Sequence, residues 1–189
     1  MRRNKPISLI TKENAGPEAL RAMEEHEGAG GRMSNMKRTM LHDVPLFEAM
    51  NHIMATADRQ LRGRIPQRAM ILFFYAVTSG NDCMVCGSVF RKLALELGVA
   101  DLDGLELTEE ERDLLDFAGA LTRDANHIPD EIYERLQRRY DEDTLVVLVM
   151  NAVLTMASNY FNNITGVELD EELKPIYGTG SWLKLQQKC

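Results

Sequence analysis

The stretch Ala69-Met70-Ile71-Leu72-Phe73-Phe74-Tyr75-Ala76-Val77 is apolar on every side, with Pro66 before it and Gly80 after it. At about 1.5 Å per residue it makes a helix of nearly three turns with no face left for water. Such a segment must sit at the centre of a core, and the rest of the chain must supply partners on all sides of it. The neighbouring segments carry helical patterns. Leu46, Phe47, Met50, Ile53, Met54 and Ala57 recur at helical spacing from Val44 to about Leu61. Pro45 suits the first turn of that helix.

Further helices follow toward the C-terminus. Thr108-Glu109-Glu110-Glu111 is a capping box ahead of Leu114, Leu115, Phe117, Ala118 and Leu121. Pro129 opens a short helix with Ile132, Tyr133 and Leu136 on one side. A long helix runs from about Glu142 to Ile164 and stops at Gly166, and a short helical segment is read around Glu171 to Ile176. With six or more helices, no alternating strand pattern and no solenoid repeat, the fold class is all-α, a helical bundle.

At 189 residues the chain is read as one compact domain. Residues 1–40 read as an N-terminal arm, with a short helix over Pro17 to Glu27 (Ala19, Leu20 and Met23 on one face). Gly28, Gly30 and Gly31 break it, and residues 28–40 are expected to be a flexible connection or an arm that packs on a neighbour. Residues 41–177 form the helical domain, and 178–189 a tail that ends in Cys189.

A formal charge of −7 excludes a nucleic-acid partner, whose phosphates need clustered cations. Arg135, Arg138 and Arg139 alternate with Glu131, Glu134 and Asp141, which reads as a solvated face. The most apolar run, Leu145 to Ala157, is thirteen residues long and reads as a buried helix with no membrane partner. No secretory segment is read, and three cysteines suit a reducing, cytoplasmic compartment. Five of the eleven methionines (Met50, Met54, Met70, Met150 and Met156) fall on apolar faces and are expected to fill the core.

Ser79-Gly80-Asn81-Asp82 is a turn with good capping chemistry, and the helix it opens spans about Cys83 to Leu97, with Gly98 as terminator. Cys83 and Cys86 therefore fall in the first turn, three residues apart on one face, close enough for their sulfurs to bond. Unpaired N–H groups and the helix dipole stabilise an anion there, and the thiolate is the reactive form. The Asp82 carboxylate pushes the other way. Arg91 and Lys92 could favour the thiolate, and equally suit an exposed face.

Three readings of the pair compete: a redox dithiol, two inert buried cysteines, or half of a zinc site. Zinc needs two more ligands, and His26, His42, His52 and His127 are dispersed, so no metal and no other cofactor is expected. Asn159, Asn162 and Asn163 are polar groups in an apolar neighbourhood, and line a pocket or satisfy a helix end.

The order of these pieces resembles the alkylhydroperoxidase D / carboxymuconolactone decarboxylase superfamily over roughly residues 40–170. The resemblance rests on Ile65-Pro66-Gln67-Arg68, the apolar helix, Cys83-Met84-Val85-Cys86, Leu97-Gly98-Val99, the Leu107 to Ala118 segment, Ile128-Pro129 to Tyr140, and Leu145 to Asn163. It implies a helical bundle that assembles into dimers, trimers or hexamers. It implies a peroxidase or disulfide reductase in which Cys86 attacks peroxide, Cys83 resolves the product as a disulfide, and an external dithiol restores both. The sequence departs from the family pattern at two positions. Phe90 stands where the motif histidine belongs, and Ile71 where the upstream acid belongs, so the usual proton relay is missing. His42, His52, Tyr75 and Tyr160 are candidate stand-ins. The alternatives are a non-catalytic oligomeric or ligand-binding member, and a decarboxylase-like enzyme that uses other polar groups in an interhelical pocket.

Overall fold

The computed structural model describes residues 6–100 and 104–177. Eight helices account for most of them: α1 (Pro17–Gly28), α2 (Asn35–Met40), α3 (Val44–Leu61), α4 (Gln67–Gly80), α5 (Met84–Glu96), α6 (Glu109–Arg123), α7 (Asp130–Arg139) and α8 (Glu142–Thr165). A single turn of 3-10 helix, Glu171–Leu173, follows. Among the described residues there is no strand beyond one isolated bridge between Arg62 and Ile65.

The all-apolar helix α4 is the axis of the bundle, packed by α5, α6 and α8. Phe73 and Val77 are wholly buried. Phe73 stacks on Phe117 of α6 with centroids 5.9 Å apart. Removing an aromatic ring of this kind from water contributes about 2–3 kcal/mol. Gly80 allows α4 and α6 to approach: a Cβ there would lie 2.2 Å from Thr122 Oγ1. The capping box forms, with Thr108 accepting from Glu111 N–H and Glu111 accepting from Thr108 N–H at 2.9 Å. Glu111 is buried and is also paired with Arg68 at 3.3 Å.

Several expectations are corrected here. Residues 35–40, expected within a flexible connection or arm, are helical. Ser34 caps that helix by accepting from Lys37 N–H, and α2 packs on α3. With α1 they build a second apolar cluster around Met23, Leu41 and Phe47. Arg135 and Arg139 do not form a merely solvated face. Arg135 pairs with Asp113 at 2.8 Å and Arg139 with Asp113 at 3.0 Å, which pins α7 to α6. Met150 is 46% exposed, on the outside of α8, and is not core.

α8 is 24 residues long, closed by Gly166 in the left-handed conformation (φ 71°). By length and composition it could cross a membrane. Its inner face packs on α3, α4 and α5. Its outer face carries a stripe of exposed apolar side chains: Val146, Met150, Val153, Ala157, Tyr160 and Ile164. The steps between them are four and three residues in strict alternation, a coiled-coil seam on the surface.

Candidate active site

The turn between α4 and α5 places the two cysteines. Asp82 takes a left-handed backbone (φ 49°), which aspartate tolerates better than most residues. Through that turn Cys83 N–H reaches Thr78 O at 3.0 Å. Asn163 Nδ2 donates to Asn81 O at 3.0 Å and ties the turn to α8. Cys83 is itself the N-cap of α5: its sulfur accepts from Cys86 N–H at 3.5 Å, the place a serine or aspartate oxygen usually takes. The sulfur thus stands at the positive end of the helix.

Asn162, reaching across from α8, completes the site. Its Nδ2 donates to Cys86 Sγ at 3.2 Å and lies 3.9 Å from Cys83 Sγ. The two thiols also hydrogen-bond to each other. The bond from the Cys86 thiol brings Cys83 down to about 7, helped by the N–H of Cys86, the Asn162 amide and the N–H of Val85, against the opposing push of burial. Cys86 moves the other way, because its bond to Cys83 and its burial both favour the neutral thiol. Cys83 is therefore the sulfur that ionises first, although the resemblance implied Cys86 as the attacking one. Cys86 is the better exposed of the two. Both are free thiols. Cys189 lies outside the described residues.

None of the four stand-ins for the relay meets the sulfurs. His42 bonds Ser8 O at 2.9 Å, and His52 is exposed on α3. Tyr75 packs with Ile71 and Leu72. Tyr160 OH donates to Asn81 Oδ1 at 3.5 Å. The remaining histidines are also elsewhere, His26 against Phe47 and His127 on Asp124. Arg91 is buried, so it does not belong to an exposed face, and it donates to Ala100 O. Among the described residues no three His, Cys, Asp or Glu side chains gather as metal ligands. Asn162 is the polar contact that sequence reasoning placed in a pocket or at a helix end without connecting it to the sulfurs. Its spacing from the cysteines in the chain carries no such signal.

The dithiol is roofed from the N-terminal side. Met36 of α2 packs against the cluster of Cys83, Cys86, Val85, Val167 and Phe161. The buried Asp170 holds α2 there, accepting from Asn35 N–H at 2.7 Å and from Arg32 at 2.9 Å. On the other side, Phe90 and Ile71 face an open cleft of about 920 Å³ between α3, α4, α5 and α8. Phe90 stacks near Phe74, centroids 5.4 Å apart.

No family model and no curated protein matches the chain. Solved structures do. The debrominase Bmp8 superposes with a TM-score of 0.71 at 20% identity, covering 92% of this chain and 96% of that one. A cysteine-to-alanine variant of Bmp8 in complex with 2,3,4-tribromopyrrole gives 0.72 at 19%, covering 93% and 97%. A peroxidase-related protein from Ralstonia eutropha JMP134, described as an alkylhydroperoxidase AhpD core, gives 0.66 at 17%, covering 90% and 96%. This is the alkylhydroperoxidase D fold. A peroxidase-related protein from Silicibacter sp. TM1040 shares it as well, with a TM-score of 0.68 at 19% identity over 92% and 97% of the two chains. Within this AhpD-like bundle the dithiol lies at the start of α5, and the two positions of the missing relay are apolar walls of a cleft.

Proposed function

We propose that this protein is a thiol-dependent reductase of organic hydroperoxides, with Cys83 and Cys86 cycling between dithiol and disulfide. The observation that carries the reading is the adjacency of one thiol lowered to about 7 and a second thiol hydrogen-bonded to it, both held by Asn162. In that pair the Cys83 thiolate serves as the base that a histidine would otherwise supply. As Cys86 sulfur attacks a peroxide oxygen, its proton passes to Cys83. The O–O bond breaks, Cys86 becomes a sulfenic acid, and the alkoxide takes a proton from water and leaves as an alcohol. Cys83 then attacks the sulfenic sulfur, forming the disulfide and releasing water. An external dithiol, itself oxidised to a disulfide, returns both thiols. A reducing compartment such as the cytoplasm suits that cycle.

The test uses the full chain with Cys189→Ser, so that only the pair is counted. Cumene hydroperoxide should consume both thiols, dithiothreitol should restore them, and Cys86→Ser should abolish turnover. Cys83→Ser should stop the cycle at a sulfenic acid that dimedone traps. An unchanged thiol count in folded protein sinks the reading.

The aromatic walls of the cleft, Phe74 and Phe90, favour a second reading akin to the debrominase neighbours. There a brominated aromatic ring oxidises the dithiol, giving the disulfide, the debrominated ring and hydrogen bromide. Bromide release from tribromopyrrole separates the two. The seam on α8 supports assembly into a homo-oligomer, since a surface stripe at coiled-coil spacing buries best against another helix. Light scattering that gives the mass of one chain counts against assembly.

A further inference from the structure

The cleft lined by Phe90 ends one helical turn short of the sulfurs on α5. On α5, Leu93, Phe90, Cys86 and Cys83 recur at steps of three and four residues, so they share one face. Leu93 and Phe90 line the cleft, and Cys86 lies one turn further, about 6 Å along the axis. On α8, Thr155, Asn159 and Asn162 follow the same rule. Thr155 lines the cleft and Asn162 touches both sulfurs.

Asn159 stands between them. It is wholly buried (0% exposed), and neither its amide nitrogen nor its amide oxygen has a hydrogen-bond partner. The Asn162 oxygen is also unpartnered, its nitrogen being turned to the sulfurs. A buried primary amide with both ends unpaired is costly and uncommon, and it is kept where something else satisfies it. Three free polar atoms thus line the α8 face between the apolar cleft and the dithiol.

The charged groups that line the cleft are Asp58, Arg62 and Arg64. Arg62 pairs with Asp58 at 2.8 Å. Arg64 is among the groups that hold the Asp141 carboxyl low, after the hydrogen bonds from Thr144. The walls further in are Met70, Ile71, Phe74 and Leu154. A charged guest would gain little there, and a neutral apolar one would gain burial.

We propose that Asn159 and the free oxygen of Asn162 form the polar end of a binding site whose apolar body is the cleft. The ligand is a neutral, apolar compound with one hydroxyl or hydroperoxide group. Asn159 is the positioning residue that sets this group beside Cys86. Its role as substrate rests on the peroxidase reading above, whereas its binding does not. The two positions that lack the family's relay, Ile71 and Phe90, then serve as walls of the substrate site.

The experiment uses the full-length Cys86→Ser protein, which cannot turn over, titrated with cumyl alcohol by calorimetry. Saturable binding is expected, weakened about tenfold or more by adding Asn159→Leu, the loss of a buried hydrogen bond. Phe90→Trp, which crowds the end of the cleft nearest Cys86, should weaken it. In the wild-type background, Asn159→Leu should raise KM for cumene hydroperoxide more than it lowers kcat. Thermal melts of each variant report folding, and Asn159→Leu should melt no lower than its parent. Absence of binding to Cys86→Ser protein, or equal binding with and without Asn159, overturns the site. Binding as expected with thiols that peroxide never consumes leaves the site standing and removes the peroxidase reading.

Discussion

The side-chain amide of Asn162 donates to Cys86 Sγ at 3.2 Å and lies within 3.9 Å of Cys83 Sγ, so one residue of α8 holds both thiols of the α5 turn. A donor aimed at a sulfur favours its ionised form. Asn162→Leu keeps the volume and removes the donor, so the thiolate should become scarcer near neutral pH. A hydrogen bond to a charged group is worth about 1.5–3 kcal/mol, so alkylation of the pair at pH 7 should slow about tenfold or more. Iodoacetamide rates on the Cys189→Ser protein check it; an unchanged rate would mean that the Cys86 thiol and the helix end set the ionisation without Asn162.

The Cys83 thiol is lowered to about 7 from 9.0. Thiolate is then scarce below pH 7 and predominant above it, so alkylation and peroxide consumption should rise about tenfold per unit up to that point and then level. Cys86→Ala removes the largest cause of the lowering. The midpoint of Cys83 should move upward in that variant, toward 9.0. Thiolate absorbance against pH is the direct measurement.

The helical bundle was legible because its signals are local. The all-apolar stretch at Ala69 to Val77, the capping box at Thr108 and the stop at Gly166 each depend on neighbours a few residues away. The cysteine pair was legible for the same reason. What surrounds it was not, because Asn162 and Met36 meet the dithiol's cluster, and Asp170 holds the helix of Met36, across long separations in sequence. Residues 28–40 read as a connection because three glycines dominate them. The contact that anchors α2, Asp170 to Asn35, comes from 135 residues away. Arg135 and Arg139 likewise looked like a solvated face until Asp113 of the neighbouring helix supplied their partner.

Asp170 is buried and accepts from both Asn35 N–H and Arg32. Asp170→Ala leaves the first N–H of α2 without its partner and loosens the helix that carries Met36 over the sulfurs. A loss of about 1–3 kcal/mol is expected from the broken buried bonds. Cys83 should also be alkylated faster in this variant, because the helix packed against its cluster opens more often. A melt and an alkylation time course test the two halves separately.

Gly80 sits where α4 meets α6, with Thr122 Oγ1 only 2.2 Å from the position of an added Cβ. Thr122 cannot simply rotate away, since its hydroxyl donates to Ala118 O at 2.8 Å. Gly80→Ala should therefore destabilise by about 1–3 kcal/mol, although alanine is the better helix former. A higher melting temperature would show that α6 yields easily.

Phe90 offers the last and sharpest test of how the site works without a relay. Its ring packs near Phe74 and borders Ile71, which is 5% exposed and apolar. Histidine at this position would stand among Ile71 and Phe74 in place of the family's acid, and burial would favour its neutral form. Phe90→His should lose part of the aromatic contact and of the apolar burial, about 1–3 kcal/mol together, and melt several degrees lower. The alkylation midpoint should stay near 7, because the groups that lower it, the Cys86 thiol and N–H and the Asn162 amide, are untouched. A midpoint that falls by a full unit in this variant would show that a single imidazole is enough to take over the ionisation, and that the thiol pair and Asn162 are weak substitutes for it.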